Sequence, residues 1–152
     1  MLNHSTLPTA GILRRLGAFV YDALLAMAIS MAWGGIAVYV RYGLLENTLA
    51  PGEKAQSSPI EFIGLVLVLT IFFSFFWRKA GQTLGMRAWR LRLQQANGEL
   101  PSWRQCILRS AIAPFSLVFL GLGYLWCLID TNGDAAHDKL GGLKVVVLPK
   151  EK

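Results

Sequence analysis

The chain has 152 residues, of which 54% are hydrophobic and only 16% charged, with a mean hydropathy of +0.45. That charge content lies well under the roughly 25% of an ordinary soluble domain, and the length suits a single domain. Fifteen basic residues against nine acidic ones give a formal charge of +6, a balance that suits nucleic acid, a membrane surface or a topology signal. The distribution along the chain selects the last of these and sets nucleic acid aside.

Residues 1–16 read as a short cytoplasmic segment ending in Arg14 and Arg15. The first apolar run follows at 18–40, with Asp22 inside it. Ala26-Met27-Ala28 resembles a signal-peptide cleavage triplet, but the run continues to Val40, beyond the roughly 7 to 15 apolar residues of a signal peptide, so an uncleaved helix is expected. Further runs occupy 60–77 and 107–129. At about 1.5 Å per residue, the three make helices of about 34, 27 and 34 Å, against a hydrocarbon layer of about 30 Å. Tyr39 and Tyr42, then Phe75, Phe76 and Trp77, then Tyr124 and Trp126 close the three runs, as amphipathic rings do at the headgroup level.

Residues 41–59 hold only Arg41 and Lys54 as basic groups, balanced by Glu46 and Glu53, whereas 78–105 holds Arg78, Lys79, Arg87, Arg90, Arg92 and Arg104 with Glu99 as the lone acid. Lys and Arg are retained on the cytoplasmic side, so 78–105 and the N-terminus are expected inside and 41–59 outside. The third run either crosses fully or is bent or re-entrant, since Pro114 removes a helical hydrogen bond and Gly121-Leu122-Gly123 offers a break. The bent form leaves only two basic residues outside, Arg41 and Lys54, and is favoured by the charge distribution.

Segment 87–95 alternates Trp89, Leu91 and Leu93 with Arg90, Arg92 and Gln94, a period of two that predicts a half-buried strand. Asn97-Gly98 predicts a turn, and Ser102 with Gln105 a capping box opening the third helix. A second strand is expected at 143–148, and two isolated strands need each other as partners, which places both on one side of the membrane. The expected fold is therefore an all-α membrane protein: three hydrophobic helices, the third bent or re-entrant in the favoured form, and a short cytoplasmic strand pair. One membrane domain, 17–148, lies between the N-terminal segment and a tail at 149–152.

An acid within a membrane-length run is costly, by about 2.5 to 3.5 kcal/mol at a helix centre on insertion scales, and is a functional candidate by default. Asp22 lies nearer one end, where the cost is lower. Arg15 is two helical turns before it on the same face, either a topology flank or a partner through a shared third group. Arg109 opens the third run and is expected to snorkel or to pair with Asp22 between helices, a structural partner in either case. Glu61 reads as a flank at a helix N-terminus. The remaining polar concentration holds Asp130, His137 and Asp138; the His-Asp pair suits proton carriage near neutral pH. His4 stands apart from it, and Cys106 and Cys127 have no CxxC spacing or neighbouring ligand, so no metal or cofactor site and no disulfide framework is readable. With neither a nucleophile elbow nor a phosphate loop, an enzyme is not expected.

Arg15-Leu16-Gly17-Ala18-Phe19-Val20-Tyr21-Asp22 resembles the R-L-x-A-x-x-x-D signature of the RDD family of small membrane proteins. Gly81-Gln82-Thr83-Leu84-Gly85 followed by Leu91-Arg92-Leu93 is similar to that family's G-Q-T-x-G segment and strand, and His137-Asp138-Lys139-Leu140-Gly141-Gly142 with Val145-Val146-Val147 to its H-D-x-x-x-G-T-x-V-V ending, with the usual Thr replaced. The resemblance implies that Arg15 and Asp22 are the family's Arg and first Asp, and that Asp138 is its second, with Asp130 the alternative. It also implies an integral membrane protein, transport being the usual suggestion.

Two functions are therefore expected in parallel. One is a small transporter or cation/proton exchanger of the bacterial inner-membrane type, binding its ion at Arg15, Asp22, His137 and Asp138 and requiring a homo-oligomer to enclose a path. The other is an accessory or scaffold membrane protein in which the same residues, with Arg109 and Asp130, lock the helix packing. The partners implied are the lipid bilayer, further copies or another membrane protein, and a proton or small cation.

Overall fold

A computed structural model describes residues 7–44, 58–118 and 135–149. The chain is mostly helical, with a small two-stranded sheet. Helix α1 spans Ile12–Val38 and passes into a π-helical turn, Tyr39–Leu44; α2 is Pro59–Ala80, α3 Leu84–Ala88, β1 Leu91–Gln95, α4 Trp103–Val118, α5 Ala136–Leu140 and β2 Leu143–Val147. Two helical segments, Ile12–Leu44 and Pro59–Ala80, are long and apolar enough to cross a membrane. Of the third apolar run, residues 119–129 lie outside the described residues, as do Cys127, Asp130 and His4.

The helix ends follow from local chemistry. α1 starts six residues before the apolar run, because Ile12-Leu13-Arg14-Arg15-Leu16 consists of good helix formers. α2 opens on a capping box in which the Ser58 N–H donates to Glu61 Oε2 (2.9 Å) and the Glu61 N–H to Ser58 Oγ (3.3 Å). It stops at Gly81, whose φ of +69° suits glycine. The capping box expected at Ser102 and Gln105 forms, with bonds of 2.9 and 3.3 Å.

The strand expected over 87–95 begins only at Leu91. Thr83 caps a short helix that takes up Arg87 and Ala88, and Arg90 at φ +55° turns the chain into the strand. β1 pairs antiparallel with β2, Leu91 opposite Val147 and Leu93 opposite Val145, as the need for a partner implied. The far edge of β2 is covered by the N-terminal segment: the Ala10 N–H donates to Val145 O (2.8 Å) and the Val147 N–H to Pro8 O (2.9 Å).

Contacts divide the chain into two compact units, one of residues 1–22 and 70–152, the other of 23–69. The core of the first gathers Ala10, Ala18, Trp77, Met86, Leu91, Leu93, Cys106, Leu143 and Val145. In the second, Gly64 lets the Trp33 indole lie against α2, and Trp33 Nε1 donates to Glu61 O at 2.9 Å. Glu61 is more than a flank, since it also pairs with Arg41 at 2.7 Å.

Candidate functional site: a buried arginine–aspartate cluster

Helices α1 to α5 each contribute to one polar centre in the first unit. Arg15, Ala18 and Asp22 are spaced i, i+3 and i+7 on α1 and so share a face; Arg15 and Ala18 are buried there. Arg15 Nε donates to Ala10 O at 2.9 Å, tying the helix to the segment that edges the sheet. Its Nη1 donates to Asp138 Oδ2 at 2.6 Å. The other carboxylate oxygen of Asp138 pairs with Arg109 of α4, and the Arg109 guanidinium lies over the Trp77 ring, 4.9 Å from its centroid. The Asp138 side chain is fully buried, and those of Arg15 and Arg109 are 4% and 9% exposed.

Asp22 is held by different groups. Thr83 Oγ1 donates to its Oδ2 at 2.5 Å and the Gly85 N–H to its Oδ1 at 2.9 Å. The same Thr83 oxygen accepts the Met86 N–H at 3.1 Å as the N-cap of α3, so one hydroxyl both starts a helix and fixes an acid. Gly85 is required by close approach: a Cβ there would collide with Ala18 O and come within 2.8 Å of the Asp22 carboxylate. Gly81 positions the stretch, its carbonyl accepting the Leu93 N–H at 2.6 Å, and Gln82 Nε2 donates to Leu91 O at 2.7 Å. Arg109 also acts on Asp22 through its charge. Two arginines and two aspartates thus make a cluster whose formal charges cancel.

This geometry revises one expectation, the partner of Arg109. Arg15 and Asp22 share a helix face, and the carboxylate that Arg15 bonds is that of Asp138. The direct ion pair of Arg109 is with Asp138 rather than Asp22, because α4 and α5 bring those two side chains into contact. Asp138 lies in this cluster, whereas Asp130, the other candidate for the family's second Asp, lies outside the described residues along with the side chain of His137. Thr83, Gly85 and Trp77 were not singled out as site residues. Thr83 and Gly85 were signalled by the motif Gly81-Gln82-Thr83-Leu84-Gly85, where a Thr before a helix marks a cap and a Gly a close approach. Trp77 had no such signal.

Near the cluster, Cys106 is fully buried, and burial raises its thiol pKa above the ordinary value while the charges of Arg109 and Arg78 pull it down less strongly. Among the described residues no three His, Cys, Asp or Glu side chains gather as a metal site. The cluster is a closed arrangement: it orients α1, α3, α4 and α5 about one centre and leaves the Asp138 carboxylate with both oxygens engaged. The family model that matches the sequence, described as RDD family, covers residues 9–142 and so includes all of it. No curated protein and no solved structure matches.

Proposed function

The chain belongs to the RDD family, and from that premise we propose that it is a multi-pass protein of the cell membrane, of the bacterial inner-membrane type, acting as a non-catalytic accessory or scaffold. In this reading Arg15, Asp138 and Arg109 lock the start of the first span to a cytoplasmic cap. The carrying observation is the saturation of Asp138, a fully buried carboxylate whose two oxygens are taken by arginines from two other helices. Buried ion networks of this kind specify packing, and a carboxylate so occupied offers no face to a substrate.

Membrane insertion is supported by apolar side chains that the protein leaves uncovered, among them Met31, Ile36, Ile60, Phe62 and Ile71. In water such surfaces would associate; in lipid they are matched. A cytoplasmic tail is supported by the β1–β2 pairing, since β1 belongs to the Arg-rich segment that the charge rule holds inside. The third apolar run, 107–129, then returns to the face from which it started. A further copy or another membrane protein is the partner that a scaffold of this size requires.

A second reading, proton or cation exchange, is favoured by one specific observation: the two hydrogen-bond donors to Asp22, Thr83 and Gly85, are neutral. Proteoliposomes carrying a pH-sensitive dye separate the two. The scaffold reading expects no flux under imposed proton, sodium or potassium gradients, and a loss of folded protein on Asp22→Asn. Flux that Asp22→Asn abolishes while the protein stays folded would establish exchange instead.

A further inference from the structure

Outside the cluster, the first unit exposes a cationic face. Arg14, Arg87 and Arg90 are all exposed, and among the described residues none of the three pairs with an acid. Between the two chain segments that carry them lies Trp89, 39% exposed, its indole resting on Gly17 of α1, where a Cβ would collide with the ring. Arg14 precedes Gly17 by three residues and Tyr21 follows it by four, so all three share one helix face. Along that face come a guanidinium, then the Trp89 indole, then Tyr21, with the exposed apolar side chains of Leu13 and Val20 alongside. Charge, aromatic belt and apolar surface succeed one another as phosphate, interface and acyl layer do in a bilayer.

Arg90 gives an independent observation. It stands just beyond the C-cap of α3, Trp89, at φ +55°, a left-handed position that glycine or asparagine usually takes. Its backbone is engaged, the Arg90 N–H donating to Arg87 O (3.1 Å) and Arg90 O accepting from the Leu148 N–H (2.8 Å), but glycine would serve those bonds with less strain. Strained non-glycine residues concentrate at functional sites, and what arginine adds here is an exposed guanidinium beside Trp89.

We propose that Arg14, Arg87 and Arg90, with Trp89 as the interfacial anchor, bind the phosphate headgroup of an anionic phospholipid in the leaflet that the cap faces. Guanidinium groups take phosphate oxygens in bidentate fashion. Three of them, with no acid paired to them among the described residues, disfavour a zwitterionic headgroup, whose ammonium they would repel. The exposed apolar side chains of Leu13 and Val20 beside this face select a lipid over a nucleic acid or a free anion. This inference rests on the membrane reading above.

The test uses the full chain purified in detergent, titrated with phosphatidylglycerol or phosphatidylcholine and read by native mass spectrometry, with apparent Tm followed in parallel. Wild type should retain phosphatidylglycerol preferentially. Each arginine near an anionic surface is worth about 1 kcal/mol, or about a fivefold change in binding, so Arg90→Gly should weaken retention by about that factor while Tm holds or rises. Arg14→Gln with Arg87→Gln and Arg90→Gln should erase the preference. Equal retention of the two lipids by wild type, or unchanged retention by Arg90→Gly, would overturn the proposal. So would displacement of the lipid by excess inorganic phosphate or by an RNA oligonucleotide, each of which would name a different ligand. Alkaline carbonate extraction of cell membranes keeps the premises apart: extractable protein sinks the membrane reading, whereas retained protein without lipid preference sinks only this site.

Discussion

Asp138→Asn is the substitution that most directly interrogates the lock. The change is nearly isosteric, so it leaves no cavity, but it removes the negative charge between two guanidiniums whose side chains are 4% and 9% exposed. An amide has one acceptor oxygen, so one arginine keeps a weakened bond and the other faces an NH2 group, donor against donor. Breaking a buried ion pair by removing one partner costs about 3 to 5 kcal/mol. At about 2 to 4 °C per kcal/mol for a chain of this size, the apparent Tm should fall by about 6 to 20 °C. Against a total stability of about 5 to 15 kcal/mol, the steady-state amount in the membrane should fall as well. Thermal unfolding followed by intrinsic fluorescence in detergent, with quantitation of membrane fractions, reads both. The combination Arg15→Met, Arg109→Met and Asp138→Leu should recover much of the loss, because buried ionic groups replaced together by apolar ones are often neutral or better. A Tm for Asp138→Asn within about 2 °C of wild type would refute the reasoning, since a shift that small is worth under about 1 kcal/mol.

Thr83→Val removes both the donor to Asp22 and the cap of α3 and should cost about 1 to 3 kcal/mol, while Thr83→Ser, which keeps the hydroxyl, should stay near wild type in the same unfolding assay. Gly85→Ala drives a methyl into the Ala18 carbonyl and should lower Tm by the equivalent of about 1 to 3 kcal/mol, visible also as reduced yield after size-exclusion chromatography. Because burial raises the Cys106 thiol pKa, the unfolded chain loses that proton first, so this group's contribution to stability should decline as pH rises past the ordinary thiol value of about 8.5; Cys106→Ala should flatten the alkaline limb of a Tm–pH profile. Asp22→Asn leaves the cluster with an excess positive charge and Arg109→Gln with an excess negative one, whereas the double variant is balanced, so a double-mutant cycle should give about 0.5 to 3 kcal/mol of favourable coupling.

The two long helices were legible because apolar runs of membrane length need no tertiary information to be recognised. The strand pair was legible for a different reason: Leu91 and Leu93 alternate with polar neighbours, and a lone strand demands a partner. What misled the reading of 87–95 was Trp89, which continues the alternation in sequence but lies on Gly17 of α1 instead of facing the sheet core. The edge made by Pro8, Thr9 and Ala10 had no signal at all, since three residues without periodicity form an edge only because β2 leaves backbone groups to satisfy. Within the site, residue types pointed to Arg15, Asp22, Arg109 and Asp138, but the choice of partner depends on how α4 and α5 approach α1. The spacing of residues 15, 22, 109 and 138 carries no information about that approach.

The pairing that emerged changes what the membrane acid signifies. Asp22 alone in an apolar run argues for a transported ion, because an unpartnered acid there needs a functional reason to persist. With Thr83, Gly85 and the charge of Arg109 acting on it, its desolvation is offset in part within the protein and that argument weakens. Arg109 in turn acts on both acids, in direct contact with Asp138 and at longer range on Asp22. If a cation reached Asp22, it would have to enter the field of a guanidinium that cannot be deprotonated and that Asp138 holds in place from the other side. A cation exchanged at Asp22 would therefore meet the repulsion of Arg109, and the flux and folding of Asp22→Asn decide between exchange and the lock.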